Sequence, residues 1–344
     1  MSDHLTDRER RVLEAVIQTY IETAEPAGSR TIAKRFPLGV SAATIRNTMS
    51  DLEDRGYLYH PHTSAGRMPT DRAYRAYVDQ IIREDRVHHP DQATLTRELS
   101  RDAGAIEGLL QKAAQVLGVL TSELGVAVAP SLDHAELARL ELVPVASDRI
   151  LMVLVLRGGL VRTIYVEVAS HLPPQAVHSV ALVLNERLAG LSLAEIRATV
   201  RERLRDSGAD GDVSELLNIF VEEADQLFDV PAREGQDVLL GSAQPLADQP
   251  EFHSNEQIRR LLDLTERRDV LRDALRRRRN GGLTVTIGGE NADPSLSAFT
   301  IVTASYRRGR LSGVIGVMGP TRMPYEKILG VVEHTSRLVE DLAG

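Results

Sequence analysis

Two neighbouring side chains in the run SAATIRNTMSDLEDR, Arg46 and Asn47, can each read the edge of a base. A guanidinium spans guanine O6 and N7, and a carboxamide spans adenine N6 and N7. On a helix begun by Ser41, the apolar Ala42, Ile45, Met49 and Leu52 form one stripe. At about 100° per residue, Ala43, Arg46, Asn47 and Ser50 fall on the opposite side. Small residues beside Arg46 and Asn47 would let such a helix lie deep in a major groove, and Ser41 and Thr44 at its start join them as candidate DNA contacts. Downstream, Ser64-Ala65-Gly66-Arg67 reads as a tight turn with Arg67 at its tip and His62 beside it. A basic turn placed next to a reading helix meets the backbone or the minor groove. Taken singly, each feature has a plainer account, a solvated helix face or a surface hairpin. Their succession is what points to DNA.

The surrounding elements place these residues. Thr6 and Glu9 form a capping box before a helix with apolar Val12, Leu13, Val16 and Ile17, which should stop near Pro26-Ala27-Gly28. Ser29 opens a second short helix ended by Pro37 and Gly39, and Ser41 opens the third, ended by Gly56. Two short helices joined by a Gly-containing turn form a helix-turn-helix signature. Tyr57-Leu58-Tyr59 reads as a strand, Met68 returns the chain, and Pro69-Thr70 starts a fourth helix. The pair His60 and His62 lacks a third ligand, so it reads as part of the turn and not as a metal site; His88-His89 reads as linker.

Charge has to be read by region. The 344 residues carry 41 Lys+Arg against 49 Asp+Glu, a net −8 that alone argues against a nucleic-acid partner. Residues 30–75 are the exception, with eight basic residues (Arg30, Lys34, Arg35, Arg46, Arg55, Arg67, Arg72, Arg75) against four acidic ones. The absence of Cys excludes disulfides, a thiolate nucleophile and Cys-held metals. No apolar stretch approaches a membrane span and no signal peptide opens the chain, so a cytoplasmic protein without a membrane partner is expected. No Ser/His/Asp set, HExxH pair or phosphate loop stands out, so no catalytic, cofactor-binding or metal-ligating residue is expected, and the chain reads as a non-enzyme. The Gly pairs at 281–282 and 288–289 read as turns. Arg276–Arg279 reads as a solvated helix end favoured by the helix dipole, and Gly319-Pro320-Thr321-Arg322 as a strand-to-helix turn that could also cradle an anion.

Beyond the N-terminal unit (1–84), residues 85–102 are polar and read as a linker running into a helix. A helical stretch from Ala103 precedes a strand at Val126–Ala129, further strands ARLELVPVA and ILMVLVL, and a hairpin partner LVRTIYVEV. Residues 172–230 then read as helix only, before strands resume at DVLLG, GLTVTIGG, FTIVTASY and GRLSGVIGVMGP, closed by a last helix. A sheet that stops and resumes implies one domain (103–171 and 231–344) with another inserted (172–230). The class is α+β and multidomain. Val177, Val180, Leu184, Leu188 and Leu191, with Leu216, Leu217, Phe220, Val221 and Leu227, recur at helical spacing and are candidates for a dimer surface or for the block's own core.

The run SAATIRNTMSDLEDRGYLYHPHTSAGRMPTDRAYRAYVD (41–79) resembles the N-terminal region of the HrcA family of heat-inducible transcription repressors, with Ala73 where that family has Gly. LADQPEF (246–252) and GVMGPTRMPY (316–325) resemble its C-terminal motifs. The resemblance implies an N-terminal winged helix-turn-helix, a GAF-like α/β domain and an inserted helical dimerisation domain. It also implies a homodimer on double-stranded DNA, the CIRCE inverted-repeat operator upstream of chaperonin and DnaK-type chaperone operons, with activity modulated by the chaperonin. The competing reading is a small-molecule-responsive regulator or enzyme with an appended helix-turn-helix.

Overall fold

The computed structural model describes residues 5–62, 65–87, 92–100, 106–130, 132–157, 160–168, 173–205, 211–228, 238–278, 281–308 and 311–342. The chain opens with α1 (Asp7–Thr23), α2 (Ser29–Arg35) and α3 (Ala42–Asp54), then a two-stranded antiparallel hairpin, β1 (Leu58–Tyr59) and β2 (Met68–Pro69), and α4 (Asp71–Arg83). Local chemistry sets these limits. Thr6 and Glu9 cap α1 reciprocally, Ser41 accepts from the Thr44 N–H at the start of α3, and Thr70 accepts from that of Ala73 at the start of α4. Gly28, not Ser29, occupies the N-cap of α2.

The helix α5 (Gln92–Ser100) follows, within what reads from sequence as linker. Its Leu95 and Leu99 are fully buried and it lies against the C-terminal helix, so 92–100 belongs to the folded body. After α6 (Ile106–Thr121) and β3 (Leu124–Val128) come β4 (Leu137–Ala146), β5 (Arg149–Leu156) and β6 (Val161–Glu167), then α7 (Pro174–Leu188), α8 (Leu193–Leu204), α9 (Asp212–Glu222) and α10 (Ala224–Leu227). The remainder is β7 (Val238–Leu240), α11 (Gln244–Ala247), α12 (Asn255–Glu266), α13 (Arg268–Arg276), β8 (Leu283–Ile287), β9 (Phe299–Arg308), β10 (Leu311–Pro320) and α14 (Tyr325–Leu342).

One antiparallel sheet has the order β7-β3-β10-β9-β8. It is covered by α6 and α14 on one face and by α12 and α13 on the other. The strands β4-β5-β6 make a separate antiparallel sheet, which changes the expected division of the chain. They do not extend the first sheet. Their inner residues, among them Leu140, Met152, Leu154 and Val166, are buried, and α7 lies along β4. The Asn185 carboxamide fastens the two, accepting from the Leu140 N–H (2.8 Å) and donating to the Leu140 carbonyl (2.7 Å). The block between β3 and β7 is therefore sheet plus helices, beginning near residue 132 and not at 172, and it is not all-helical.

Candidate nucleic-acid interface

In α3 the buried side is Ile45, Thr48, Met49 and Leu52, with Ala42 only partly covered. The Thr48 hydroxyl bonds back to the Thr44 carbonyl at 3.1 Å, which is how a polar residue sits on that side. Ser41, Ala43, Arg46, Asn47 and Ser50 are exposed, and Thr44 is half-covered, its hydroxyl 3.0 Å from that of Ser41. The structure thus brings the expected residues onto one open face. That face is held firmly. The Glu9 carboxylate that caps α1 also accepts from Arg55 at 2.8 Å, tying the start of α1 to the end of α3. Burial opposes ionisation of Glu9, yet hydrogen bonds from Thr6 and the Arg55 guanidinium hold its carboxyl below the ordinary range.

The hairpin differs from expectation at Arg67. His62, after β1, is exposed, while Thr63 and Ser64 lie outside the described residues. Arg67 stands immediately before β2, not at the tip, and exchanges two 2.9 Å backbone hydrogen bonds with Ala27. Gly66 permits this approach: a Cβ there would stand 2.5 Å from the Ala27 carbonyl. The Arg67 side chain pairs with Glu53 at 2.7 Å, and Glu53 also takes Nδ1 of His60. Arg67 therefore braces the hairpin against α3. A turn residue drawn into a backbone bridge by a loop forty residues earlier has no local sequence mark.

Most of the basic window is likewise engaged within the fold. Arg35 pairs with Glu22, Arg55 with Glu9 and Arg67 with Glu53. Arg72 donates to the Arg55 carbonyl at 2.8 Å and lies over the Tyr57 ring at 4.5 Å. Arg75 reaches Glu290 with two nitrogens and donates to the Val285 carbonyl at 2.7 Å. Among the described residues, Arg30 and Lys34 on α2 and Arg46 on α3 make no ion pair, and all three are exposed.

The N-terminal unit is fastened to the body along α1 and α4. The Gly289 N–H donates to Asp71 at 3.0 Å, and Gly288, at φ +52°, leaves the room that Asp71 fills. Arg86 is shared by Glu14 and Glu326, both at 2.6 Å. Arg322 donates to the Ile21 carbonyl at 2.6 Å while pairing with Glu251 through two nitrogens, so 319–322 is no open anion cradle. Tyr325 stands 5.7 Å from Tyr74 and 6.5 Å from Tyr77 between ring centroids.

Other expected features resolve differently. Of the Arg276–Arg279 block, Arg279 lies outside the described residues. Arg278 is not solvated: it turns inward and donates to the Ala274 and Ile301 carbonyls and to Thr286. Its burial without a carboxylate pulls the guanidinium down to about 10. His88 and His89 also lie outside the described residues. Val177, Val180, Leu184, Leu188, Leu216, Leu217, Phe220 and Leu227 are buried in their own block, with Leu191 and Val221 partly so, which removes them as a free surface. An open apolar patch lies across the outer face of β4-β5-β6. Val143, Leu151 and Tyr165 stand in one cross-strand row, and Val143, Val145, Val161 and Tyr165 are 43–64% exposed. Alternation along the three strands carries that signal in the sequence. Among the described residues no group of three His, Asp or Glu is placed to hold a metal ion, and no helix is long and apolar enough to cross a membrane.

Comparison with known proteins gives the chain close company. Residues 107–329 match the family described as HrcA protein C terminal domain. The chain is similar to the heat-inducible transcription repressor HrcA of Chlorobium phaeobacteroides strain BS1, with 39% identity covering 97% of both chains. It is 39% identical to that of Chlorobaculum tepidum (99% of this chain, 98% of the relative) and 35% identical to that of Pelotomaculum thermopropionicum (97% and 95%). A crystal structure described only as that of a hypothetical protein shares the fold, with a TM-score of 0.66 at 24% identity over 98% of both chains.

Proposed function

The chain belongs to the HrcA family of heat-inducible transcription repressors, and from that premise we propose how its geometry serves as a negative regulator of heat-shock transcription. The observation that carries the reading is the open polar face of α3. The first three helices with the hairpin act as a winged helix. The α3 face enters the major groove, Arg46 reads guanine and Asn47 adenine, and Ala43 and Ser50 leave room for close approach. Ser41 and Thr44 lie at the helix N-terminus, where a phosphate is favoured. His62 sits at the exposed end of the wing, and Arg67 sets the wing's angle through Glu53. Arg30 and Lys34 on α2 meet the backbone that the first helix of such a motif crosses.

The operator is the CIRCE inverted repeat, which demands a two-fold symmetric homodimer. The outer face of β4-β5-β6 is the surface suited to that pairing. The five-stranded sheet with helices on both faces serves as the GAF-like domain, and the block from about 132 to 228 as the inserted dimerisation domain. With no thiol available, heat acts through folding, and the chaperonin restores activity by refolding the repressor. Footprinting on a CIRCE operator tests the core of this. Arg46→Ala and Asn47→Ala should each cost roughly 1–3 kcal/mol of specific binding and relax discrimination at one or two base pairs. Equal protection by the parent and both variants would remove the reading.

A further inference from the structure

Between α12, the turn before β9 and the end of β10 lies a cavity of about 440 Å³, within the roughly 300–1,000 Å³ of small-molecule sites. The two sequence segments 246–252 and 316–325, which the DNA interface leaves unused, meet at it. Its floor is apolar: Phe252 and Phe299 lie stacked with ring centroids 6.0 Å apart, and Leu264 closes one side. One wall is the face of α12 and its end, which carries Arg260, Asp263 and Arg267.

The charges on that wall differ in how far they are committed. Both oxygens of Glu251, on the opposite side, are taken by Arg322. Arg260 reaches Glu256 at 2.6 Å, but both side chains are largely exposed, where a pair of this kind contributes little. Arg260 can therefore exchange that partner for a ligand. Arg267 lies close enough to Asp293 to lower its carboxyl, after the larger effect of Ser295. Asp263 is the one carboxylate on the wall that makes no ion pair among the described residues. Glu256 and Asp293 do not line the cavity, so the wall of α12 presents two guanidiniums against this one carboxylate.

We infer that this cavity binds a small organic anion with an apolar body, a carboxylate or phosphate ester, and that its occupancy is felt by the DNA-binding unit. Two contacts provide the link. Glu251, in the cavity wall, holds Arg322, which donates to the Ile21 carbonyl near the end of α1. Thr321, also in the wall, accepts from the Tyr325 hydroxyl at 2.7 Å, and Tyr325 carries Tyr74 and Tyr77 of α4. A ligand that displaces Glu251 acts on α1 and one that displaces Thr321 acts on α4, and by linkage operator DNA changes ligand affinity by the same factor.

The binding half stands apart from the DNA-binding reading, whereas the coupling half rests on it. The full chain is titrated with phenylacetate, phenyl phosphate, inorganic phosphate, 2-phenylethanol and phenethylamine, followed by saturation-transfer NMR and thermal shift. Phenylacetate or phenyl phosphate should bind at least tenfold more tightly than the alcohol, the amine or inorganic phosphate. Arg260→Ala/Arg267→Ala should erase that preference and leave operator affinity without probe unchanged. Ala298→Trp, which fills the cavity from an exposed position, should abolish binding. Saturating anion should change operator affinity at least threefold in the parent and not in Ala298→Trp. Equal or better binding of the alcohol, the amine or inorganic phosphate overturns the inference, as does anion binding that survives both variants. Anion binding with unchanged operator affinity overturns the coupling. Failure of the chain to bind the operator under any condition strikes the DNA-binding reading and leaves the anion result intact.

Discussion

Salt dependence would separate the basic residues proposed to meet DNA from those that hold the fold. Replacing Arg30 and Lys34 with Ala removes two exposed cations from α2 that make no ion pair among the described residues, while Arg67→Ala and Arg55→Ala remove cations held by Glu53 and Glu9. Each phosphate contact contributes about 0.9 to the slope of log Kobs against log salt. On the proposed dimer the contact is lost twice, so one α2 substitution should flatten the slope by about 1.8 and the pair by about 3.6. Between roughly 50 and 200 mM salt, a fourfold rise, the double variant should lose about 150-fold less affinity than the parent does. Arg67→Ala and Arg55→Ala should lower affinity through a loosened hairpin or helix and leave the slope where it was. The assay is a fluorescence-anisotropy titration of an operator duplex at five salt concentrations. Flattening by Arg67→Ala as large as that of Lys34→Ala, or a parental slope in the double variant, would refute the assignment.

Gly66→Ala should open the Ala27–Arg67 bridge, at a cost of about 2 kcal/mol for two backbone hydrogen bonds; unchanged hydrogen-exchange protection at the Ala27 and Arg67 amides would count against it. Glu123 is 1% exposed with Gln249 as its hydrogen-bond donor, and burial pushes its carboxyl well above the ordinary value of 4.5. Because the unfolded chain ionises there first, this residue's contribution to stability falls as pH rises from 4.5 towards the raised folded value. Glu123→Gln, close in shape to the protonated acid, should be at least as stable as the parent at pH 8 and less pH-dependent in urea titrations. A loss of stability at pH 8 would show that the buried group is ionised. Val143→Asp with Tyr165→Asp should yield a folded monomer by sedimentation, since both side chains lie on the open sheet face; a dimer that persists would move the interface elsewhere.

The α3 face was legible because helical spacing and the Ser41 cap are local properties, and short-range chemistry decides them. Which basic residues remain available was not. The partners of Arg55, Arg67 and Arg75 are Glu9, Glu53 and Glu290, and nothing along the chain announces that the last lies beside the first domain. The strands β4 to β6 were each visible as alternating runs, but alternation does not reveal which sheet a strand joins. Their separate sheet follows from α7 lying along β4 and from the Asn185 bridge, both contacts made across long stretches of chain. In the same way α5 reads as polar linker because only Leu95 and Leu99 are inward, and two buried leucines give a short, weak period.

The fastening of α1 and α4 to the body, through Asp71, Arg75, Arg86 and Arg322, would make the proposed dimer a gauge of operator phase. With one base pair added between half-sites, the far half-site rotates by about 35° and moves by about 3.4 Å. A reading head on a loose tether would follow that rotation at little cost. One held by ion pairs on two helices cannot follow without giving some of them up. On the proposed dimer, spacer length would therefore become part of the recognised sequence, and inverted repeats of the wrong pitch would be rejected by the stiffness of the protein.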